Sequence, residues 1–266
     1  MTELAKTLSE TLYPDLIEAG GLHEAVTRAL NSSGSDLKAT TVPGFIPYAR
    51  VEQGSRSTQV YIAAEQRLFT LEFWYDGIAY GNGATPDIGV VAEAIQVWIV
   101  EAPQIASMRG RFGFFKPTGK GEAHEAGTLV EYQWESLLRS WSEYEPNAFS
   151  PRPLIEAARL RPELRQLFPY TSLYKFCLSR TTGVPYTRDC PHALALGNGL
   201  YRAYSANYVV VTMRHADEEY RVAEHEILGE GTAEEVLDLL VVNLPPGCGP
   251  AVNGTAVDLA NKAGSA

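Results

Sequence analysis

Residues 69–99, FTLEFWYDGIAYGNGATPDIGVVAEAIQVWI, place a strand, a glycine-rich break and a helix in close succession. Over residues 69–75, large apolar side chains alternate with Thr, Glu and Trp, which is the period-two pattern of a half-buried strand. The glycines of 81–83 indicate a tight turn, and Thr85 is expected to cap a helix that begins at Pro86. An apolar stripe with helical spacing follows: Ile88, Val91, Ala92, Ile95, Trp98 and Ile99.

The same order of elements recurs on both sides of the middle of the chain. An amphipathic stretch before the first strands is expected to break into two helices at Gly20-Gly21. In the second half, residues 153–168 indicate helix, alternating strands follow, and Thr232 with Glu235 forms the capping box of a last helix. No long helices separate the middle strands, so the pairing is expected to be antiparallel. We therefore predict an α+β fold of two tandem helix–antiparallel sheet–helix domains, produced by an internal duplication.

Four segments follow from this pattern. We predict an N-terminal α+β domain over residues 1–118 and a linking helix within 119–150, whose helical pattern runs from Glu122 to Trp141. A C-terminal α+β domain is predicted over 151–254. The small and polar residues 255–266 are expected to form a flexible tail.

Composition narrows the class of protein. The 266 residues carry a net charge of −10, and 45% of them are hydrophobic, enough to bury a core. The negative charge disfavours nucleic acid and anionic membrane surfaces as partners. No signal-peptide pattern opens the sequence, and no apolar run reaches the roughly 20 residues of a transmembrane helix. With three cysteines far apart in the sequence, we predict a cytoplasmic protein without a disulfide framework.

Two glycine-rich segments resemble ligand-binding loops without meeting their requirements. Residues 113–121, GFFKPTGKG, lack the first glycine and the hydroxyl residue of a phosphate-binding loop, so we predict an ordinary exposed loop there. Gly197-Asn198-Gly199 is interpreted as a hairpin turn, because Asn and Gly accept the positive φ that such turns need. No cofactor site and no metal site is predicted.

The most reactive cluster in the sequence is Asp189-Cys190-Pro191-His192. A cysteine near a histidine can provide a thiolate nucleophile, or two metal ligands together with Cys177. The interpretation that we favour is a loop before a strand. His215 and His225, among acidic residues, can build an acid–base pair, although a solvated hairpin is the commoner explanation.

A basic cluster is present in one short segment, and it consists of Arg152, Arg159, Arg161 and Arg165. Guanidinium groups suit phosphate and carboxylate ligands, so this segment is a candidate docking site for a carrier protein. The alternative is that these arginines only balance neighbouring glutamates on a solvated surface.

Residues 164–172, LRQLFPYTS, followed by FCLSR at 176–180, resemble a family of unknown function from antibiotic-producing bacteria, labelled natural product biosynthesis proteins. Further similarities, including the motif GATPD at 83–87 and the ending LPPGCGPA at 244–251, extend the resemblance from about residue 60 to 254. The family motif has histidine after Thr-Ser, whereas this chain has Leu173. Any function of that histidine in the family would therefore be absent from this chain.

The resemblance implies a pathway protein that binds a small organic intermediate, which we expect between the two domains. The resemblance leaves open whether the protein is an enzyme. If it is one, a cofactor-independent cyclase or isomerase is expected, because such catalysis can rely on positioning alone and needs no recognisable motif. The candidate catalytic residues are His192, Tyr170 and Arg180, and the candidate substrate-binding residues are Thr171, Ser172 and Trp134. The alternative hypothesis is a non-catalytic binding module, such as a chaperone, an immunity protein or a carrier-protein docking partner.

Overall fold

The chain forms two compact units in the computed structural model, Met1–Gly127 and Thr128–Ala266. Each unit combines α-helices with one antiparallel sheet, so the predicted α+β fold class is confirmed. The internal duplication stays a prediction. Among the described helices, none is long and apolar enough to cross a membrane. The structure describes residues 11–44, 48–142, 149–172, 174–215 and 218–264.

The N-terminal unit packs its helices against a six-stranded sheet in which each strand is antiparallel to the next one in the chain. A π-helical turn, Val97–Glu101, continues the helix Ile88–Gln96. The elements are α1 (Pro14–Ala19), α2 (Leu22–Ser32), β1 (Ala39–Val42), β2 (Tyr48–Gln53), β3 (Arg56–Ile62), β4 (Phe69–Tyr75), β5 (Ile78–Thr85), α3 (Ile88–Gln96), α4 (Ile105–Arg111), β6 (Lys116–Pro117) and α5 (Gly119–Glu125).

Local sequence signals place the first helices and the strand β4 correctly. Gly20 adopts a left-handed conformation with φ +95° and ends α1, so the predicted break at Gly20-Gly21 is confirmed. In β4, Phe69, Leu71 and Phe73 are buried, and the residues between them are partly exposed. The alternation of FTLEFWY therefore identifies the core-facing side of this sheet.

The prediction of a turn at residues 81–83 is wrong, because Gly81 and Gly83 lie inside β5 and pair with β4. The hairpin turn is Asp76-Gly77, where both residues have positive φ. A Cβ atom on Gly81 would overlap the ring of Phe115. Glycine is therefore needed at this position for close packing and not for a turn.

Replacing Gly81 by alanine is expected to lower the free energy of unfolding by about 1–3 kcal/mol, because the buried Phe115 ring must move. Gly110→Ala, in the exposed part of α4 with open space around it, is the matched control. The control is expected to stabilise the protein by up to about 1 kcal/mol. Urea unfolding measures both variants, and equal stabilities would contradict the packing explanation.

The cap of α3 and the segment 113–121 differ from the predictions. Thr85 ends β5, and Asp87 caps the helix by accepting hydrogen bonds from the backbone of Gly89 and Val90. The predicted exposed loop over 113–121 contains a buried phenylalanine, the short strand β6 and the start of α5. Sequence pattern alone missed these features because they depend on pairing with β5.

The C-terminal unit contains a five-stranded antiparallel sheet in which each strand pairs with the next one along the chain. The capping box of Thr232 and Glu235 is confirmed. The elements are α6 (Leu129–Ser142), α7 (Arg152–Leu160), α8 (Pro162–Arg165), β7 (Phe168–Ser172), β8 (Lys175–Ser179), β9 (His192–Gly197), β10 (Leu200–His215), β11 (Glu218–Gly231), α9 (Ala233–Val242) and α10 (Ala256–Ala263). Asn198 has φ +52°, as the predicted hairpin turn between β9 and β10 requires.

Two further predictions need correction. The single helix expected from Glu122 to Trp141 is two helices, because Gly127 adopts φ +72° between α5 and α6. The residues expected to form a flexible tail contain the helix α10. Thr255 and Asp258 form its capping box, and the backbone N–H of Ala256 donates to the carbonyl oxygen of Pro185.

Candidate functional site

The sheet of the C-terminal unit has one apolar face and one polar, aromatic face. Phe176 and Ala193, which pair across β8 and β9, belong to the hydrophobic core. Because side chains alternate along a strand, their neighbours Cys177 and His192 point to the opposite side. Cys177 pairs with Tyr170, and His192 pairs with Tyr204. We call the resulting surface the His192 face, and it comprises Tyr170, Cys177, His192, Tyr204 and His225.

His192 is enclosed by aromatic rings. Only 6% of the residue is exposed. Its ring stacks on that of Tyr204 with centroids 5.1 Å apart and meets the ring of His225 edge-on at 4.4 Å. Its Nε2 atom has no hydrogen-bond partner among the described residues. Burial, with smaller contributions from His225 and Lys175, lowers the pKa of His192 to about 4, so the imidazole is neutral at pH 7.

His225 is held in one tautomer by the backbone. Its Nδ1 atom lies 3.0 Å from the carbonyl oxygen of Ser205. A carbonyl oxygen only accepts hydrogen bonds, so Nδ1 carries the proton when the ring is neutral. Burial lowers the pKa of His225 as well. The His192 face therefore contains two neighbouring imidazoles that favour the neutral form.

Tyr170 and Cys177 provide donors and not nucleophiles. The Cys177 thiol lies 3.8 Å from the carbonyl oxygen of Lys175. Burial is the largest cause of the raised pKa of Tyr170 and of Cys177, to about 11 for Cys177. Both groups therefore keep their protons at neutral pH. The ring of Tyr170 also packs on that of Tyr186, with centroids 4.6 Å apart. The thiolate chemistry considered for Cys177 has no support in this environment.

Two cations, Lys175 and Arg188, act on the described side chains of this face. Lys175 Nζ lies 5.6 Å from the ring centroid of Tyr204. Positive charge on Lys175 favours the uncharged form of His192, and Arg188 acts on Tyr170 and Cys177. Neither cation forms an ion pair with a residue whose side chain the structure describes, which leaves out residues 208–224 of β10 and β11. In a protein with net charge −10, this surface is locally suited to an anion.

The structure places the candidate residues in different surroundings. His192 and Tyr170 share the His192 face, whereas Arg180 lies beyond the end of β8 and pairs with Asp189 at 2.8 Å. Thr171 pairs with Phe176 and so points to the core side of the sheet. Ser172 is exposed at the end of β7, opposite Lys175.

Trp134 has a position in the core. It is 1% exposed and packs against Phe176. Its indole N–H donates to the carbonyl oxygens of Arg165 and Leu167, at 3.0 and 3.2 Å. These contacts connect α6 to the segment that leads into β7. A role in packing accounts for all of these contacts.

The basic cluster is largely neutralised by carboxylates. Arg152 pairs with Glu156 at 2.8 Å, and Arg159 pairs with Glu135 at 3.2 Å. Arg161 contacts both Glu234 and Asp238 on α9. Arg165 is exposed and forms no ion pair with the other described residues. Docking of a carrier protein through these arginines stays a prediction.

The participation of Tyr204 and His225 was not visible in the sequence. The register between β10 and β11 shifts after Tyr204, where three residues of β10 face one residue of β11. Such a bulge redirects side chains, and sequence alternation does not report it. His225 was therefore assigned to a solvated hairpin, although its ring contacts that of His192.

The N-terminal unit holds a second buried polar cluster. The hydroxyl of Tyr80 is hydrogen-bonded to Nδ1 of His124, and Nε2 of His124 lies 3.7 Å from Asp76. Burial lowers the pKa of His124 and raises that of Tyr80. The buried hydroxyl of Tyr80 thereby joins β5 to α5. Among all the described residues, this cluster included, no three His, Cys, Asp or Glu side chains are placed to hold a metal ion.

A family model described as "Family of unknown function (DUF6193)" matches residues 128–255. The match begins where the C-terminal unit begins and contains every residue of the His192 face. The predicted resemblance to a family of unknown function is thus supported for this unit, whereas the natural-product setting stays a prediction. No curated protein and no solved structure matches the chain.

Proposed function

We propose that the His192 face binds a small organic anion, and that Nε2 of His192 contacts this ligand directly. The observation that carries the proposal is the buried Nε2 atom without a hydrogen-bond partner among the described residues. Leaving such a polar atom unpaired costs roughly 1–3 kcal/mol. Unpaired buried groups in native proteins call for an explanation, and a ligand that completes the hydrogen bond is one.

Charge favours an anionic ligand over a neutral or cationic one. Lys175 and Arg188 act on the side chains of this face, and neither has an ion-pair partner among the residues whose side chains are described. A carboxylate, enolate or phenolate brought between them gains this interaction and loses its water. The stacked rings of His192 and Tyr204 offer a flat apolar wall for an aromatic or alicyclic body.

The spacing of the polar groups indicates the size of the ligand. Tyr170 on β7 and His192 on β9 are separated by the intervening strand β8. Two strand spacings amount to about 10 Å. A ligand that contacts both side chains therefore has the length of two or three fused rings. This size agrees with a natural-product intermediate, the setting implied by the resemblance of residues 164–180.

Anion binding would also change the chemistry of His192. A negative charge near the imidazole favours its protonated form, and so raises its pKa from about 4 towards neutrality. The ligand thereby makes His192 a better base. We propose a cofactor-independent isomerisation or ring closure, in which Nε2 of the neutral imidazole removes a proton next to a carbonyl group and the imidazolium returns it to another atom of the same molecule. Tyr170 would hold the distant end of the molecule through its hydroxyl.

A binding experiment tests the ligand class. Histidine side-chain ¹⁵N signals are followed while wild-type protein is titrated with benzoate and, in parallel, with cyclohexylamine at equal ionic strength. Benzoate is expected to shift the Nε2 signal of His192 in a saturable manner, and the amine is expected to leave it unchanged. The reason is the cationic environment given by Lys175 and Arg188.

Two variants control this experiment. His192→Phe keeps a flat ring but removes the nitrogen, and at least a tenfold loss of benzoate affinity is expected, about 1.4 kcal/mol. His23→Ala removes a histidine of the N-terminal unit that pairs with Glu24, and it should bind like wild type. A His192 signal that does not respond to benzoate, or equal affinity of His192→Phe and wild type, would refute the proposal.

A further inference from the structure

The loop between β8 and β9 lies over one end of the His192 face. Tyr186, in the middle of this loop, packs its ring on those of Phe168 and Tyr170, with centroid distances of 5.4 and 4.6 Å. Phe168 and Tyr170 are alternate residues of β7, so they point to the same side of the sheet. Tyr186 is half-buried, and part of the residue stays exposed. The loop thus adds an aromatic side chain at the β7 end of the face.

A buried hydroxyl group joins the two ends of this loop. Ser179 ends β8, is 0% exposed and pairs with Phe168, so it lies on the same side of the sheet as the loop. Its Oγ atom accepts hydrogen bonds from the backbone N–H groups of Thr181 and Thr187, at 3.0 and 3.1 Å. It donates to the carbonyl oxygen of Thr181 at 2.7 Å. The hydroxyl therefore uses its donor and both of its lone pairs within the loop.

Further contacts fix the loop from outside. At its ends, the Arg180 guanidinium pairs with the Asp189 carboxylate at 2.8 Å. Next to Tyr186, the carbonyl oxygen of Pro185 accepts a hydrogen bond from the backbone N–H of Ala256, the first residue of α10, at 2.8 Å. The loop is therefore held both at its ends and beside its tyrosine.

We propose that Tyr186 is a specificity residue of the His192 face and that Ser179 and Arg180 position it. The inference rests on the proposed anion site, because it assigns the end of that site farthest from His192. A ligand whose carboxylate binds at His192 and whose body spans about 10 Å reaches Tyr170. Its far ring then packs on Tyr186. The site therefore favours long aromatic anions over short ones.

The proposal gives a role to two residues of the segment FCLSR at 176–180, which lies within the part of the chain that the family model matches. Ser179 and Arg180 are its last two residues. The guanidinium of Arg180 is already paired with Asp189. Arg180 therefore acts through the loop and does not contact the ligand.

The test compares a short and a long aromatic anion. Histidine ¹⁵N signals of the full-length protein are followed during titrations with benzoate and with biphenyl-4-carboxylate, which carries a second ring opposite its carboxylate. Wild type is expected to bind the longer anion roughly tenfold more tightly, because the second ring packs on Tyr186. In Tyr186→Ala this ratio of affinities is expected to fall to about one.

A tyrosine pair in the N-terminal unit provides the matched control. Tyr61 packs on Tyr48 with ring centroids 5.0 Å apart, much as Tyr186 packs on Tyr170. Tyr61→Ala removes a ring from this second pair and is expected to keep the wild-type ratio of affinities.

Charge exchange tests the positioning role of the ion pair. Arg180→Asp places two carboxylates at the ends of the loop, and the ratio of affinities is expected to fall by roughly threefold. Adding Asp189→Arg restores an ion pair with the charges exchanged and should restore the ratio. A general loss of stability would lower both affinities together and would not be rescued in this way.

Ser179 is tested without any ligand. Nuclear Overhauser effects between the rings of Tyr170 and Tyr186 report the position of the loop in folded protein. They are expected in wild type and should weaken in Ser179→Ala, because two backbone N–H groups of the loop lose their acceptor.

The outcomes separate this inference from the proposed anion site. Saturable benzoate binding with equal affinity for the longer anion, or a wild-type ratio in Tyr186→Ala, would overturn the inference and leave the anion site standing. A His192 signal that responds to neither anion would overturn both. An unchanged ratio in Arg180→Asp, or ring contacts that persist in Ser179→Ala, would overturn the positioning role of that residue.

Discussion

Replacing Trp134 by alanine is expected to lower the free energy of unfolding by about 4 kcal/mol, the usual cost of removing a fully buried tryptophan. The side chain is enclosed in the core of the C-terminal unit beside Phe176. Its removal leaves a cavity and also frees the carbonyl oxygens of Arg165 and Leu167 from the indole N–H. Urea unfolding followed by circular dichroism measures the loss.

Trp134→Phe separates packing from hydrogen bonding. It retains a ring in the core but loses the indole N–H, so a smaller loss of about 1–2 kcal/mol is expected. Neither variant should change the affinity for benzoate per folded molecule, because Trp134 belongs to the core and not to the His192 face. A loss of stability below about 1 kcal/mol for Trp134→Ala, together with lost benzoate binding, would favour the sequence-based assignment of Trp134 to the ligand site.

The fold was predictable where the signal is local. The alternation of FTLEFWY, the break at Gly20-Gly21 and the capping box at Thr232 each depend on a few neighbouring residues, and the structure contains all three. Asp76-Gly77 was an equally local hairpin signal that was overlooked. The cap at Thr255 was overlooked because aspartate replaces the usual glutamate at its third helical position.

Features that depend on distant contacts were not predictable. The segment 81–83 has the composition of a turn. Glycine is nevertheless required at position 81 because the ring of Phe115, more than thirty residues later, packs against it. No local pattern distinguishes these two causes. The membership of α6 in the second unit likewise depends on distant contacts, since α6 packs against β7 and α7.

The candidate site was predictable only in part. His192 was chosen for its chemistry, and its pairing partner Tyr204 follows from the β9–β10 hairpin. The approach of His225 depends on the bulge in β10, which has no sequence signature here. Reactive residue types in a sequence thus indicate candidates, whereas burial and register determine which of them meet.

Acid is expected to destabilise the protein through His192. Its pKa is about 4 in the folded state and near 6.5 in an unfolded chain. The unfolded state therefore binds the proton first, so stability is fully present above pH 6.5 and is lost as the pH falls towards 4. The difference between the folded and unfolded pKa values corresponds to about 3 kcal/mol of stability for this buried group. Below pH 4 the contribution of His192 to stability no longer changes.

His192→Phe isolates this effect from the other titrating groups. Half-buried His124 and His225 also have lowered pKa values, and both histidines are present in wild type and variant. We compare the free energies of unfolding of wild type and variant at each pH. Between pH 6.5 and 4, the difference between them is expected to change by about 3 kcal/mol, in favour of the variant. At pH 7.5 the variant should be at least as stable as wild type, because no unpaired Nε2 atom remains.

Urea unfolding at half-unit steps from pH 4 to 7.5 measures this difference, with benzoate absent. Adding benzoate should stabilise wild type and not the variant, since a ligand that binds only the folded state shifts the equilibrium towards it. Parallel pH profiles for the two proteins would show that His192 exchanges protons freely with solvent. In that case its buried, neutral state could not be the basis of either the acid sensitivity or the proposed anion site.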